Sequence, residues 1–410
     1  MSTRTERDHL DELLEARSDP AKRQIPTRSL DRIAYATVHD PTDLRTWSGL
    51  VYFIGKALEQ QGIEVEHVAQ LQRDRLLWNK AVNKLYRITG AQGPLPVERS
   101  LRMARRFARE IAAHIDNDTS DVVFSPSSIP LAFLRSDKPK VFYTDCTFGD
   151  LLEQYPELAD YPKDLIDEGH FLEREALRNC DLAIYSSHWA ARSAIDRYGA
   201  DPAKVKVVPF GSNLEIKLTA DHVLHCIAQR PADRCELLFI GVHWERKGGP
   251  LAWETARLLN ERGLPTRLTV VGCEPPKEFT STFTRVIPFI DKNTPWGQRR
   301  LVQYLMRSHL LLVPSMAECF GIVYAEASAL GVPSLARDVG GVSEAVRTER
   351  NGFLFDPEQG ASAYADRIET LMNDRTAYEA LARASYQEYL DRLNWKAAGT
   401  ALRGHLEALL

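Results

Sequence analysis

Cysteine is scarce: six in 410 residues (Cys146, Cys180, Cys226, Cys235, Cys273, Cys319), far apart and with no C-x-x-C pair. The spacing gives no sign of a zinc knuckle or a dithiol couple and fits free thiols in a reducing compartment. No run of 18 apolar residues occurs, and Met1–Arg23 is dense in charge without the apolar centre of a signal peptide. A cytoplasmic location is expected. Positive charge is not in excess, since 52 Lys and Arg face 56 Asp and Glu for a net charge of −4. That leaves no global field for wrapping nucleic acid, and none is expected as a partner. A full G-x-G-x-x-G is also missing, which argues against dinucleotide chemistry.

What is present is an ordinary globular composition, 44% hydrophobic and 26% charged, on a chain long enough for two or three domains. Short β-branched runs alternate with helical segments. Strands are expected at 32–38, 64–68, 121–125, 140–144, 181–186 and 204–209, with a helix over 49–61. The alternation then restarts with strands at 236–242, 267–272, 285–288, 310–314 and 333–336. Between them lie helices at 250–262, 294–308 and 321–330. This is an α/β pattern of two Rossmann-like, doubly wound domains facing across a cleft. The expected division is 1–213 for the first domain and 214–389 for the second. Residues 390–410, with Leu393, Trp395, Leu402, Leu406 and Leu410 on helical spacing, are too apolar for a free tail and are expected to return to the first domain.

The most informative stretch is Pro314-Ser-Met-Ala-Glu318-Cys319-Phe320-Gly321-Ile322-Val323-Tyr-Ala-Glu326-Ala. On a helix from Gly321, the neighbours of Glu326 three and four positions away are Ile322, Val323, Ala329 and Leu330. Glu326 therefore falls on the buried stripe, where a carboxylate is costly unless hydrogen bonds reach it; ligand hydroxyls would serve. The plainer reading is a glutamate on a helix edge. Glu318 sits in the loop feeding that helix, beside backbone N–H groups of Phe320 to Val323 that can seat an anion; alone, it reads equally as a carboxylate favouring the helix dipole. The second constellation is Gly241-Val242-His-Trp-Glu-Arg246-Lys247-Gly248-Gly249 between a strand and a helix. There Lys247 can neutralise a departing diphosphate.

Glu318-x7-Glu326, Lys247-Gly248, Gly340-Gly-Val-Ser-Glu344 and Asn351-Gly-Phe-Leu354 together resemble the retaining family-four glycosyltransferases of GT-B fold (glycosyl transferases group 1). Upstream, Cys180-Asp-Leu-Ala-Ile-Tyr-Ser-Ser187 and Lys204–Asn213 are similar to the stretch closing that family's first domain. The resemblance runs over roughly residues 30 to 400 and implies an enzyme moving a sugar from a nucleotide-diphosphate donor to an acceptor hydroxyl, without a metal or other cofactor. It gives Glu326 the donor ribose, Glu318 the donor sugar and Lys247 the diphosphate. The family arginine after the strand-ending glycine is Val242 here, with Arg246 a replacement candidate. Asp145 stands where the family offers a histidine near the reacting sugar, the plainer reading being a helix cap. Gly49 resembles the first-domain loop nearing donor phosphate and acceptor, and Gly241 and Gly272 end strands beside the donor. The acceptor, a saccharide or lipid-linked hydroxyl, is expected near Gly49, Ser127 and Asp145. The donor base is open, a UDP-sugar being the first expectation and a GDP-sugar the second.

Other signals carry less. Asp116-Asn117-Asp118 matches a metal-binding D-x-D but precedes a strand, at the sheet edge away from ligands, so a turn without metal is expected. His222 and His225 read as ordinary helix residues. Between Leu71 and His114 ten basic residues (Arg73 to Arg109) face three acidic ones, with Arg99, Arg102, Arg106 and Arg109 on one expected helix face. That stretch reads either as a solvated helix face or as a dock for the anionic inner face of a membrane. Two other functions stay open beside transfer: a sugar-nucleotide epimerase or hydrolase, and a silent glycan-binding protein. Envelope polysaccharide or glycoconjugate synthesis is the expected setting.

Overall fold

The computed structural model describes residues 29–68, 71, 99–116, 118–155, 158, 161–215 and 218–410. Two parallel six-stranded sheets organise the chain. The first holds β1 (Arg32–Ala36), β2 (Glu64–Val68), β3 (Val122–Ser125), β4 (Lys140–Thr144), β5 (Leu182–Tyr185) and β6 (Val205–Val207), in the order β2-β1-β3-β4-β5-β6. The second holds β7 (Cys235–Ile240), β8 (Thr266–Val271), β9 (Thr284–Ile287), β10 (Leu310–Leu312), β11 (Ser334–Arg337) and β12 (Gly352–Phe355), in the order β12-β11-β10-β7-β8-β9. These are GT-B sheets, and helices cover both faces of each, so strands such as β3 and β10 are buried throughout.

This order decides where ligands can lie. In the second sheet the chain runs outward from β7 to β8 and β9, then crosses back to β10 on the other side of β7. The carboxyl ends of β7 and β10 therefore diverge and open a crevice between the loops that follow them. In the first sheet the same reversal falls between β1 and β3. The crevices face one another.

Local sequence fixes the helices. Ser100 caps the helix Leu101–Ile115 by accepting from Met103 N, and Met103, Phe107, Ala108, Ile111 and Ile115 bury one stripe against the first sheet. Burying each large side chain there contributes about 1.5–3 kcal/mol. Arg99 lies outside this helix, correcting the expected face: its guanidinium stacks over Phe148, 4.8 Å from the ring centre, and lies 3.9 Å from Glu173. Arg102, Arg105 and Arg109 are exposed. The basic residues 73 to 87 lie outside the described residues.

The apolar C-terminal stretch is broken. One helix ends at Asp391, and a new one, Trp395–Glu407, starts where Asn394 accepts from Ala397 N. The break turns Trp395 onto Phe53 and Phe210, and Arg403 donates to Gln61 O, so this last helix lies against the helix Leu50–Glu59 that follows β1. Phe210 in turn meets Phe320 edge-on across the two halves. None of the described helices is long and apolar enough to cross a membrane.

Candidate active site

The loops after β7 and β10 are built on two glycines in left-handed conformation. Gly248 (φ 76°) ends the loop after β7, and a Cβ there would stand 2.1 Å from Pro314 O. Gly321 (φ 83°) starts the helix Ile322–Ser328, and its Cβ would meet the Tyr324 ring at 2.4 Å. Only glycine serves at both points, and that contact is what brings the two loops together.

The result is a cavity of about 330 Å³. From the second sheet it is lined by Gly241, Lys247, Gly272, Glu318, Glu326 and the first helical turn, Gly321 to Val323. Lys247 donates to Glu318, and both side chains are nearly buried. Glu318 also accepts from Ser315 Oγ at 3.4 Å, while its backbone N–H donates to Gln154 Oε1 of the first half at 3.0 Å. Glu326 is 2% exposed and faces the cavity, as its apolar neighbours require.

Glu326 is not bare. Lys292, in the loop after β9, donates to its Oε1 at 2.5 Å. Sequence reasoning missed Lys292, and the available signal was its place just beyond the carboxyl end of a strand in an α/β fold. Arg45 and Ser48 of the first half also line the cavity and were missed. Leu44 N donates to Asn293 Oδ1 at 2.9 Å, so the loop carrying Arg45 is fastened to the residue after Lys292.

Other expected residues sit around this cavity. Gly49 stands beside Ser48, in a run of three left-handed residues with Trp47 (φ 49°) and Ser48 (φ 56°). Asn213 steadies that run by donating to Ser48 O at 2.8 Å while accepting from Trp395 Nε1 at 2.9 Å. Phe320 and Cys319 are buried behind the cavity rather than lining it. Arg246 points away: it donates to Ala317 O at 3.2 Å and its guanidinium lies over the Tyr155 ring. It does not line the cavity, whereas Val242 does and is 55% exposed.

Asp145 follows β4 in the first half. Thr147, not Asp145, caps the next helix, by a reciprocal pair with Asp150. Burial pushes the Asp145 carboxyl up to about 6, with the Glu318 charge adding to it and hydrogen bonds from Cys146 and Trp47 opposing it. Asp118 takes Lys138 and Ser120 as partners at the opposite end of the sheet. His222 and His225 are exposed on the helix Ala220–Ala228.

Chemically, the arrangement sets one ammonium and one helical first turn against an anion, and a buried carboxylate against hydroxyls.

Residues 234–374 match the family model described as "Glycosyl transferases group 1", and residues 50–216 match "Glycosyltransferase Family 4". A D-inositol 3-phosphate glycosyltransferase of Acidothermus cellulolyticus is 30% identical over 49% of this chain and 48% of its own. One of Streptomyces scabiei is 32% identical over 53% of this chain and 52% of its own. The chain thus spans about half the length of these curated relatives. Among solved structures, a sucrose-phosphate synthase of Thermosynechococcus elongatus aligns with a TM-score of 0.67 at 18% identity, covering 92% of this chain and 99% of its own. The Anabaena protein HepE, in complex with UDP and glucose, aligns with a TM-score of 0.57 at 16% identity, covering 92% of this chain and all of its own.

Proposed function

The chain belongs to the family-four, group 1 glycosyltransferases, and from that premise we propose that it transfers a sugar from a nucleotide-diphosphate donor to an acceptor hydroxyl, with retention at the anomeric carbon. The observation carrying this reading is the single cavity that holds buried Glu326, Lys247, Glu318 and the first turn of one helix at the crossover of the second sheet.

In this reading the donor ribose hydroxyls donate to Glu326. The diphosphate lies at the first turn of the helix Ile322–Ser328 and takes Lys247 from Glu318 as negative charge grows on the leaving oxygen. Glu318 is then free to accept from hydroxyls of the donor sugar. The acceptor approaches from the first half, past Asp145 and Gly49, and its proton passes to the leaving phosphate on the same face as the glycosidic bond breaks. No protein nucleophile takes part, and neither metal nor other cofactor is needed.

A UDP-hexose is the donor we favour, because HepE, of like fold, is described with UDP and glucose. For the acceptor, a phosphorylated polyol joins saccharide and lipid-linked hydroxyls, because the curated relatives are named for D-inositol 3-phosphate. We further read exposed Arg102, Arg105 and Arg109 as a contact for anionic lipid at the inner face of a membrane, each worth about 1 kcal/mol near the surface. Flotation with anionic vesicles at low and high salt tests this; no binding at either salt removes it.

Mass-spectrometric product detection tests the reaction, using UDP-, GDP- and ADP-sugars against saccharide, polyol-phosphate and lipid-linked acceptors. An acceptor heavier by one sugar supports transfer. A hydrolysed or epimerised donor formed without acceptor contradicts it.

A further inference from the structure

The cleft brings together three soft and hard ligand atoms from opposite halves of the chain. Cys146 and Asp145 follow β4, and Cys319 stands 173 positions later in the loop before the helix Ile322–Ser328. The two thiols and an Asp145 carboxylate oxygen all lie within 4.8 Å of one another. Both thiols are free, and Cys319 is 3% exposed.

We propose that Asp145, Cys146 and Cys319 form a site for one zinc-class divalent ion that ties the two halves of the chain together. Two thiolates and one carboxylate are a donor set that a soft-accepting ion such as Zn²⁺ or Cd²⁺ takes up, with water completing a tetrahedron. The thiols need little movement. Metal–sulfur bonds of about 2.3 Å place tetrahedral ligands about 3.8 Å apart, so atoms already within 4.8 Å of one another need to close by no more than about 1 Å. Two further carboxylates lie near the thiols: Glu318, which is paired with Lys247, and Asp150. Each thiol gives its proton to solvent as the ion binds, so occupancy falls in acid.

Hard ions are not expected there, because Mg²⁺ and Ca²⁺ prefer oxygen ligands. The site also differs from Glu66, His114 and Asp118, the other such group among the described residues. There Asp118 is held by Lys138, and the histidine is exposed.

The test is a titration of the full-length, reduced protein with Cd²⁺ alone, following the ultraviolet thiolate-to-cadmium band and, in parallel, the melting temperature. One equivalent should saturate the band and raise Tm. Cys146→Ser and Cys319→Ser should each weaken binding more than about tenfold and remove the Tm shift, while Cys273→Ser should leave both intact. A band absent from the wild type, or one that persists in Cys146→Ser, overturns the site. These readouts do not involve glycosyl transfer, so they stand or fall apart from the proposed reaction.

Discussion

Lys292 donates to Glu326 at 2.5 Å, across the cavity that the donor is proposed to fill. The pair gives a carboxylate that is 2% exposed an ammonium partner before any ligand arrives. Removing the ammonium leaves that charge uncompensated. Lys292→Met should therefore lower unfolding stability by about 3 kcal/mol. Nucleotide should restore part of this, because ribose hydroxyls supply the missing donors. The check is thermal melting with and without UDP: the UDP-induced rise should be larger in Lys292→Met than in the wild type.

Lys247 meets a partner whose charge grows during the reaction, so its loss should fall on turnover. Lys247→Ala should lower kcat roughly 100- to 1,000-fold while donor affinity changes less than about tenfold. Steady-state kinetics alongside direct nucleotide binding separate the two. Unchanged kcat would remove Lys247 from the chemistry.

Asn213 is 2% exposed and joins the left-handed run at Trp47 and Ser48 to Trp395. Asn213→Ala leaves Ser48 O and Trp395 Nε1 without that partner, at a cost of about 1–3 kcal/mol. Because Ser48 lines the cavity, the donor KM should rise as stability falls. Urea unfolding and KM measured on the same preparation check both.

His309 gives a pH signature. It is fully buried, its Nδ1 accepts from Glu236 N at 3.0 Å, and its Nε2 faces Pro231 O at 2.8 Å, a set that suits only the neutral ring. Burial, foremost, lowers its pKa from 6.5 to about 4. The unfolded chain then takes a proton that the folded one refuses. Stability from this group is complete above about 6.5 and is lost as pH falls toward 4, by up to about 3 kcal/mol. Urea unfolding at pH 7 and pH 4.5 should show His309→Gln losing less stability on acidification than the wild type.

Much of this site was legible in the sequence because its logic is local. The apolar neighbours of Glu326 follow from helical spacing, and Lys247 stands where any strand-to-helix loop of an α/β fold meets ligands. Asp145 was legible as a position but not as an environment, since Trp47 and Glu318, which act on its carboxyl, come from two other loops. Arg45 was not legible, because nothing in its own neighbourhood ties it to the cavity, and Lys292 showed only its place beyond a strand end, not its reach to Glu326. Arg246 stood as the replacement candidate for the arginine missing at Val242, yet Tyr155 and Ala317 from other elements capture it. The strand Gly352–Phe355 escaped notice as a strand because its four residues open on glycine and lie under a recognisable motif. Periodicity across 390–410 concealed the break at Asn394, which only the cap and the seat of Trp395 explain.

The most direct measurement is isothermal titration of UDP, GDP and ADP into the wild type and into Glu326→Ala. One nucleotide should bind the wild type, and its affinity should fall at least about tenfold in the variant, the worth of one charge-assisted hydrogen bond. Equal affinity in both proteins, or no binding to the wild type, would contradict the assignment of this cavity to the donor.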